Sequence, residues 1–179
     1  MSGFALPVDD DLDLVLREEW TVAPLHAVLV ANLEHLRRWE AWAQGEQTLE
    51  GAASYARYSL GEWSAGRAVP AALRYRGQVV GAVGARIDTY AGSADLGYWI
   101  DAAHQGRGLV TRAAAALVRH LHEDRGLVRV EIRTAVGNAR SRAVAERLGF
   151  VLEGVLRSGH VGPDGREDLC LYGHLAATP

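Results

Sequence analysis

The seven residues Gln105-Gly106-Arg107-Gly108-Leu109-Val110-Thr111 lie between a strand-like run and the strongest helical pattern in the chain. Glycines before a helix let backbone N–H groups close on an anion, and the helix N-terminus favours negative charge. The segment can therefore cradle a pyrophosphate; a tight turn is the plainer use of the same glycines. Two nucleotide motifs fit it poorly. Gly106-x-Gly108-x-x-Thr111 lacks the third glycine of the dinucleotide fingerprint, and three strand candidates precede it where that fingerprint opens a parallel unit. A nucleoside-triphosphate loop needs a lysine, yet all 19 basic residues are arginine. A Schiff-base lysine is excluded by the same count.

Further on, Asn138-x-x-Ser141 stands at the start of another helical stretch. Asn138 can cap that helix or bond an amide of a ligand. The Ser141 hydroxyl can donate a proton or merely satisfy the first turn. His160, Asp95 and Glu153 are the candidate proton acceptors. An α-amine with a pKa of ~7.7–8.0 is partly neutral near pH 7, so a weak base suffices for it, whereas a lysine side chain at ~10.4 asks for more. By pattern alone His160 is a strand histidine, Asp95 an alternate strand position and Glu153 a surface carboxylate. Trp39 and Trp42, three apart, read as core or loop anchors, and His104 as structural. His120 and His122 lie two apart on different helix faces with no cysteine cluster, so no metal site is expected.

These groups must be held by regular elements. Asp13–Glu19 alternates as an edge strand does. Thr21–Trp39 carries Leu25, Val28, Leu29, Asn32, Leu33 and Leu36 at helical spacing, and Gln47–Ala65 is a second helical stretch. Ala71–Tyr75 and Val79–Ile87 predict a hairpin around Arg76-Gly77-Gln78, and Ala94–Asp101 another strand. The clearest helix runs from about Arg107 to Asp124, on the stripe Val110, Ala113, Ala114, Leu117, Val118 and Leu121. Leu127–Thr134 alternates as a strand, and Ala139–Leu148 is a helix closed by Gly149-Phe150. Strands Val151–Val161 and Glu167–Leu175 flank the turn Gly162-Pro163-Asp164-Gly165. Hairpin-like strands followed by β-α-β-α-β define α+β or mixed α/β, not a regular doubly wound sheet.

With 179 residues, 49% hydrophobic and 23% charged, residues 1–179 are expected to form one globular domain. A net charge of −3 gives no basic footprint for nucleic acid. No apolar run reaches a membrane span, and the acidic segment Met1–Leu14 lacks the pattern of a secretory signal. The single cysteine, Cys170, fits a reducing cytoplasm.

Gln105-x-x-Gly108 after Gly97-Tyr98-Trp99-Ile100 resembles the acyl-CoA pyrophosphate loop of the GNAT superfamily of N-acetyltransferases. Asn138-x-x-Ser141, Leu148-Gly149-Phe150, Glu153-Gly154 and the closing run Asp168–Tyr172 are similar to the RimL/RimJ-type subgroup, which acetylates ribosomal-protein N-termini. The likeness covers nearly the whole chain and is strongest over Asp95–Tyr172. Two positions depart from the family pattern: Val110 stands where Gly or Ala is usual, and His160 where an acidic base is found.

The resemblance implies a mixed, mostly antiparallel central sheet of about seven strands with flanking helices. A splayed pair, Ala94–Asp101 and Leu127–Thr134, would hold acyl-CoA. It implies acetyl-CoA as cofactor, with coenzyme A as product, bound by Tyr98, Trp99, Ile100, Gln105, Gly106, Arg107, Gly108, Leu109, Val110, Thr111, Asn138 and Ser141. Arg107, Arg140 and Arg142 would neutralise phosphates, and Trp39 and Trp42 would wall the acceptor site. Ser141 becomes the proton donor, and His160, with Asp95 as the substitute, the proton acceptor. The implied function is direct acetyl transfer to a protein N-terminal α-amine, such as that of a ribosomal protein. A small amine, a succinyl donor or a non-catalytic acyl-CoA-binding module are the alternatives, and the presence of both Asn138 and Ser141 weighs against the last. No nucleic-acid or membrane partner is expected, and a homodimer is compatible with the sequence.

Overall fold

The structure, a computed structural model, describes residues 4–177. Its strands are β1 (Ala5–Pro7), β2 (Leu12–Leu16), β3 (Ala68–Tyr75), β4 (Gln78–Asp88), β5 (Ser93–Ile100), β6 (Arg129–Ala135), β7 (Val151–Gly162) and β8 (Gly165–Leu175). They form one sheet of eight strands in the order β1-β2-β3-β4-β5-β6-β8-β7. The helices are α1 (Glu19–Ala31), α2 (Leu33–Arg37), α3 (Leu49–Ser64), α4 (Leu109–Glu123) and α5 (Ala139–Arg147). This is a mixed α/β fold with an open, mostly antiparallel sheet. Among the described residues no helix is long and apolar enough to cross a membrane.

Strand alternation sorts the side chains into two layers. Leu14, Leu73, Ala85, Leu96 and Ile132 share one face and pack with Leu109, Ala113, Leu117 and Leu121 of α4. Helices α1 and α3 pack together against β4 and β3. The stripe of α4 begins at the fully buried Leu109, one residue before the expected Val110, which lies at the edge of the core. Arg76 and Gly77 form a two-residue hairpin turn with φ of 50° and 80°, so β4 starts at Gln78, a residue expected in the turn.

The eighth strand of the sheet is β1, three residues ending in Pro7 that pair with β2, and two local expectations need correction. β2 is consequently interior rather than an edge, and Leu14, Val15 and Leu16 are all buried. The expected single helix over Thr21–Trp39 breaks at Asn32. That side chain is buried and bonds across the molecule: Nδ2 donates to Val28 O at 2.8 Å and to Asp101 Oδ1 at 2.9 Å, while Oδ1 accepts from Ala102 N at 2.8 Å. Burial opposes the charge on Asp101, but donors from Asn32 and His104 outweigh it and hold the carboxyl below its usual range. Asn32→Ala removes one donor to Asp101 and leaves the Ala102 N–H without its acceptor. It is expected to cost about 1–3 kcal/mol and to accelerate amide exchange over Ala102–Gly106, measurable by denaturant melts and hydrogen exchange.

Candidate active site

Among the described residues only β5 and β6 run parallel, and their pairing stops at Leu96↔Ile132 although both strands continue. Main-chain groups on that edge of Gly97–Ile100 are left without a strand partner, and the gap opens toward the N-terminus of α4. The expected splay is thus present. One continuous cleft of about 2020 Å³ runs through it.

At one end of the cleft lies the glycine loop. Gly106 and Gly108 have φ of 76° and 72°, a region that other residues enter at a cost. A Cβ at either position would meet no atom within 4 Å, so the missing side chains leave the loop surface open. Gly108 caps α4 without a side-chain acceptor, which leaves the first-turn N–H groups free to face an anion. Gln105 Nε2 donates to His35 Nε2 at 2.7 Å, and Arg140 donates to Gln105 Oε1. Arg107 is exposed and donates to Ala103 O at 3.2 Å. His104 Nδ1 donates to Asp101 Oδ2 at 2.7 Å, the structural role expected of it.

Some expected ligands can act only through their backbone. The side chains of Leu109 and Ile100 are core residues, 1% and 8% exposed. Trp99, Val110 and Thr111 do line the cleft. Arg142 is not a phosphate partner here: it donates to Tyr172 Oη at 3.1 Å and to Val136 O at 3.3 Å.

Asn138, Ser141 and Tyr98 form the centre. Asn138 Oδ1 accepts from Ser141 N at 3.2 Å, which caps α5. The Tyr98 hydroxyl lies 3.1 Å from Ser141 Oγ, where either can donate, and 3.1 Å from the Ser141 carbonyl. Burial pushes the Tyr98 phenol up to about 12, against the pull of the Ser141 hydrogen bond. The pair is therefore protonated at neutral pH.

Across the cleft, His160 sits on β7 with Nε2 buried and lacking a hydrogen-bond partner. A register shift between Leu156 and His160, with Ser158 at φ 52°, aims it there. Gly159 is required in that bulge, since a Cβ would stand 2.8 Å from Leu169 Cβ. Asp95 is tied to Arg86 at 2.6 Å on the paired part of β5, and Glu153 to Arg129. Those carboxylates are engaged, whereas His160 is not. Trp39 lies under the Arg38 guanidinium at 4.5 Å, and Trp42, 45% exposed, donates to Glu40 Oε2 at 2.7 Å. Both tryptophans line the cleft.

Sequence reasoning passed over Glu40. Burial raises its carboxyl to about 7, although the Trp42 hydrogen bond pulls the other way, and its charge reaches the Tyr98 phenol. A glutamate between two tryptophans has no pattern of its own; only the fold turns it inward. A carboxyl raised in the native state stabilises the fold at low pH, and that contribution is lost as pH rises from 4.5 through about 7. Glu40→Gln is therefore expected to melt above wild type beyond pH 7, with the gap closing toward pH 4.5. Thermal melts across that range check it.

An open sheet splayed at the parallel pair β5–β6, with an anion-ready helix N-terminus beside the gap, matches the architecture of an acyl-CoA-dependent N-acetyltransferase. The family model of the acetyltransferase (GNAT) domain matches residues 13–151, and the chain belongs to that family. It is 29% identical over 171 residues to the ribosomal-protein-serine acetyltransferase of Escherichia coli, covering 95% of this chain and 96% of that one. Among solved structures it is similar to RimL, a ribosomal L7/L12 alpha-N-protein acetyltransferase in complex with coenzyme A. The TM-score there is 0.93 at 25% identity, covering 96% of this chain and 98% of that one. The microcin C7 self-immunity acetyltransferase MccE, in complex with acetyl-CoA and AMP, gives a TM-score of 0.90 at 27% identity, over 98% and 97% of the two chains.

Proposed function

We propose that this enzyme transfers acetyl directly from acetyl-CoA to the α-amine of a protein N-terminus, in particular that of a ribosomal protein, in the cytoplasm. The observation that carries the reading is the pairing of a protonated Ser141–Tyr98 unit with the unpartnered His160 Nε2 along one cleft through the splay. Relatives named for ribosomal-protein acetylation support the acceptor class.

Gly106, Gly108 and the first-turn N–H groups of α4 hold the pyrophosphate, with Arg107 and Arg140 near it. Main-chain groups of Gly97–Ile100 hold the pantetheine arm, and an N–H among them polarises the carbonyl. Asn138 offers its side-chain amide to the same arm. Acetyl-CoA supplies the acyl group as a thioester. The amine enters between Trp39 and Trp42 beside Glu40 and gives up one proton to solvent, so that its nitrogen is neutral when it attacks. As that nitrogen bonds the acetyl carbon and the C–S bond breaks, His160 Nε2 accepts the second proton and Ser141 Oγ delivers one to the departing sulfur, replaced from solvent through the Tyr98 hydroxyl 3.1 Å away. Cys170 is buried, so no cysteine relay competes with direct transfer.

The test is thiol release from acetyl-CoA with a peptide bearing a free N-terminal serine, mapped by mass spectrometry. Acetyl on the α-amine, absent with a blocked N-terminus, supports the reading. Release with small amines alone overturns it, and binding without release makes the protein a non-catalytic module. Ser141→Ala is expected to lower kcat more than it weakens acetyl-CoA binding, because its proton is needed only as the sulfur leaves; steady-state rates and calorimetry separate the two. Any acetyl on the enzyme itself cannot reside on a lysine, for there is none.

A further inference from the structure

The cleft continues past the splay, away from the glycine loop, to a cation that the mechanism above does not use. Arg17 follows β2, and its N–H bonds Pro70 O at 3.0 Å. Pro70 is paired with Gly84, and Gly84 with Gly97, so one row of backbone leads from Arg17 to the splay. A Cβ at Gly97 would meet no atom within 4 Å. The space above that residue belongs to the cleft.

Two other arginines that line this cleft have carboxylates: Arg67 pairs with Glu62 at 2.6 Å, and Arg86 with Asp95 at 2.6 Å. Arg17 lines the cleft beside the Tyr55 ring, 5.6 Å from its centroid, and its Nε is buried with no hydrogen-bond partner. Burial works against its charge, and the Tyr55 side chain offsets only part of that. A buried guanidinium without an anion is costly, and a carboxylate is the partner whose geometry matches its fork.

We propose that Arg17 binds an acidic side chain of the acceptor, so that the preferred N-termini carry Asp or Glu within their first three residues. The placement suits that length. Three strand spacings from β2 to β5 amount to ~14 Å. Three extended residues cover ~10 Å of it, and the arginine side chain covers the rest. The inference rests on the α-amine reading above.

The experiment compares kcat/KM for peptides identical except for Glu or Gln at the second or third position. Wild type is expected to favour Glu by about 10–100-fold, the range of a charged hydrogen bond. Arg17→Gln is expected to bring the Glu/Gln ratio close to one; should that variant not fold, Arg17→Lys keeps the cation and should still lower the ratio. A wild-type ratio of one, or a ratio unchanged in a folded Arg17 variant, overturns the proposal. If acidic and neutral peptides are acetylated alike, this subsite falls and the α-amine reading stands. If no peptide is acetylated while carboxylate-bearing small amines are, with a rate lowered by Arg17→Gln, the α-amine reading falls and Arg17 remains an anion site.

Discussion

Gly108→Val is expected to raise the Kd for acetyl-CoA about 100-fold or more while the sheet remains folded. Gly108 has φ of 72°, and a β-branched residue held there costs about 1–3 kcal/mol. The chain relieves that strain by rotating the peptide units that start α4, and those units carry the N–H groups proposed to hold the pyrophosphate. Losing one or two charge-assisted hydrogen bonds at about 1.5–3 kcal/mol each accounts for the loss of affinity. No protein atom lies within 4 Å of the added Cβ, so core packing is untouched. The melting midpoint should fall by roughly 2–10 °C. Calorimetry showing unchanged affinity in a folded Gly108→Val protein removes the loop from the cofactor site.

His160→Gln should lower kcat/KM by about 10²–10⁴-fold, the usual contribution of a positioned base. Its Nε2 is buried in the cleft with no partner to satisfy, so the substitution disturbs little else. A base acts only when deprotonated, so the base adds a rising limb to the wild-type rate. The α-amine adds its own limb near pH ~7.7–8.0. The variant should keep the amine limb and lose the one the base supplies. Glu40, at about 7, titrates in the same cleft, and the profile is therefore to be measured in Glu40→Gln as well. If His160→Gln retains the rate and the full profile, the proton goes to Glu40 or to solvent.

The parts legible in the sequence are those set by local rules. The helix of α4 follows from its 3.6-residue stripe, the Arg76-Gly77 turn from its left-handed residues, and the glycine loop from its place before a helix. The short β1 was not legible, because three residues ending in proline carry no period. The break at Asn32 was hidden because it arises from Asp101, 69 residues away in sequence. Arg17 and Glu40 were hidden for the same reason: a charge is assigned to the surface by composition, and only strands paired across the sheet and a loop folded over it turn these two inward. His160 was found through a resemblance, while the bulge that aims it depends on pairing with β8.

The Gln105 side chain touches His35 on α2 and Arg140 on α5 at once. The cofactor loop is thereby joined to the segment that carries Trp39, Glu40 and Trp42. A ligand that draws Gln105 toward phosphate alters the freedom of α2, and an acceptor that fixes α2 alters the loop. Thermodynamic reciprocity makes the two effects equal in size, whichever ligand arrives first. The joint offers a path for a coupling free energy between donor and acceptor binding, read as the change in acetyl-CoA affinity when the acceptor is present.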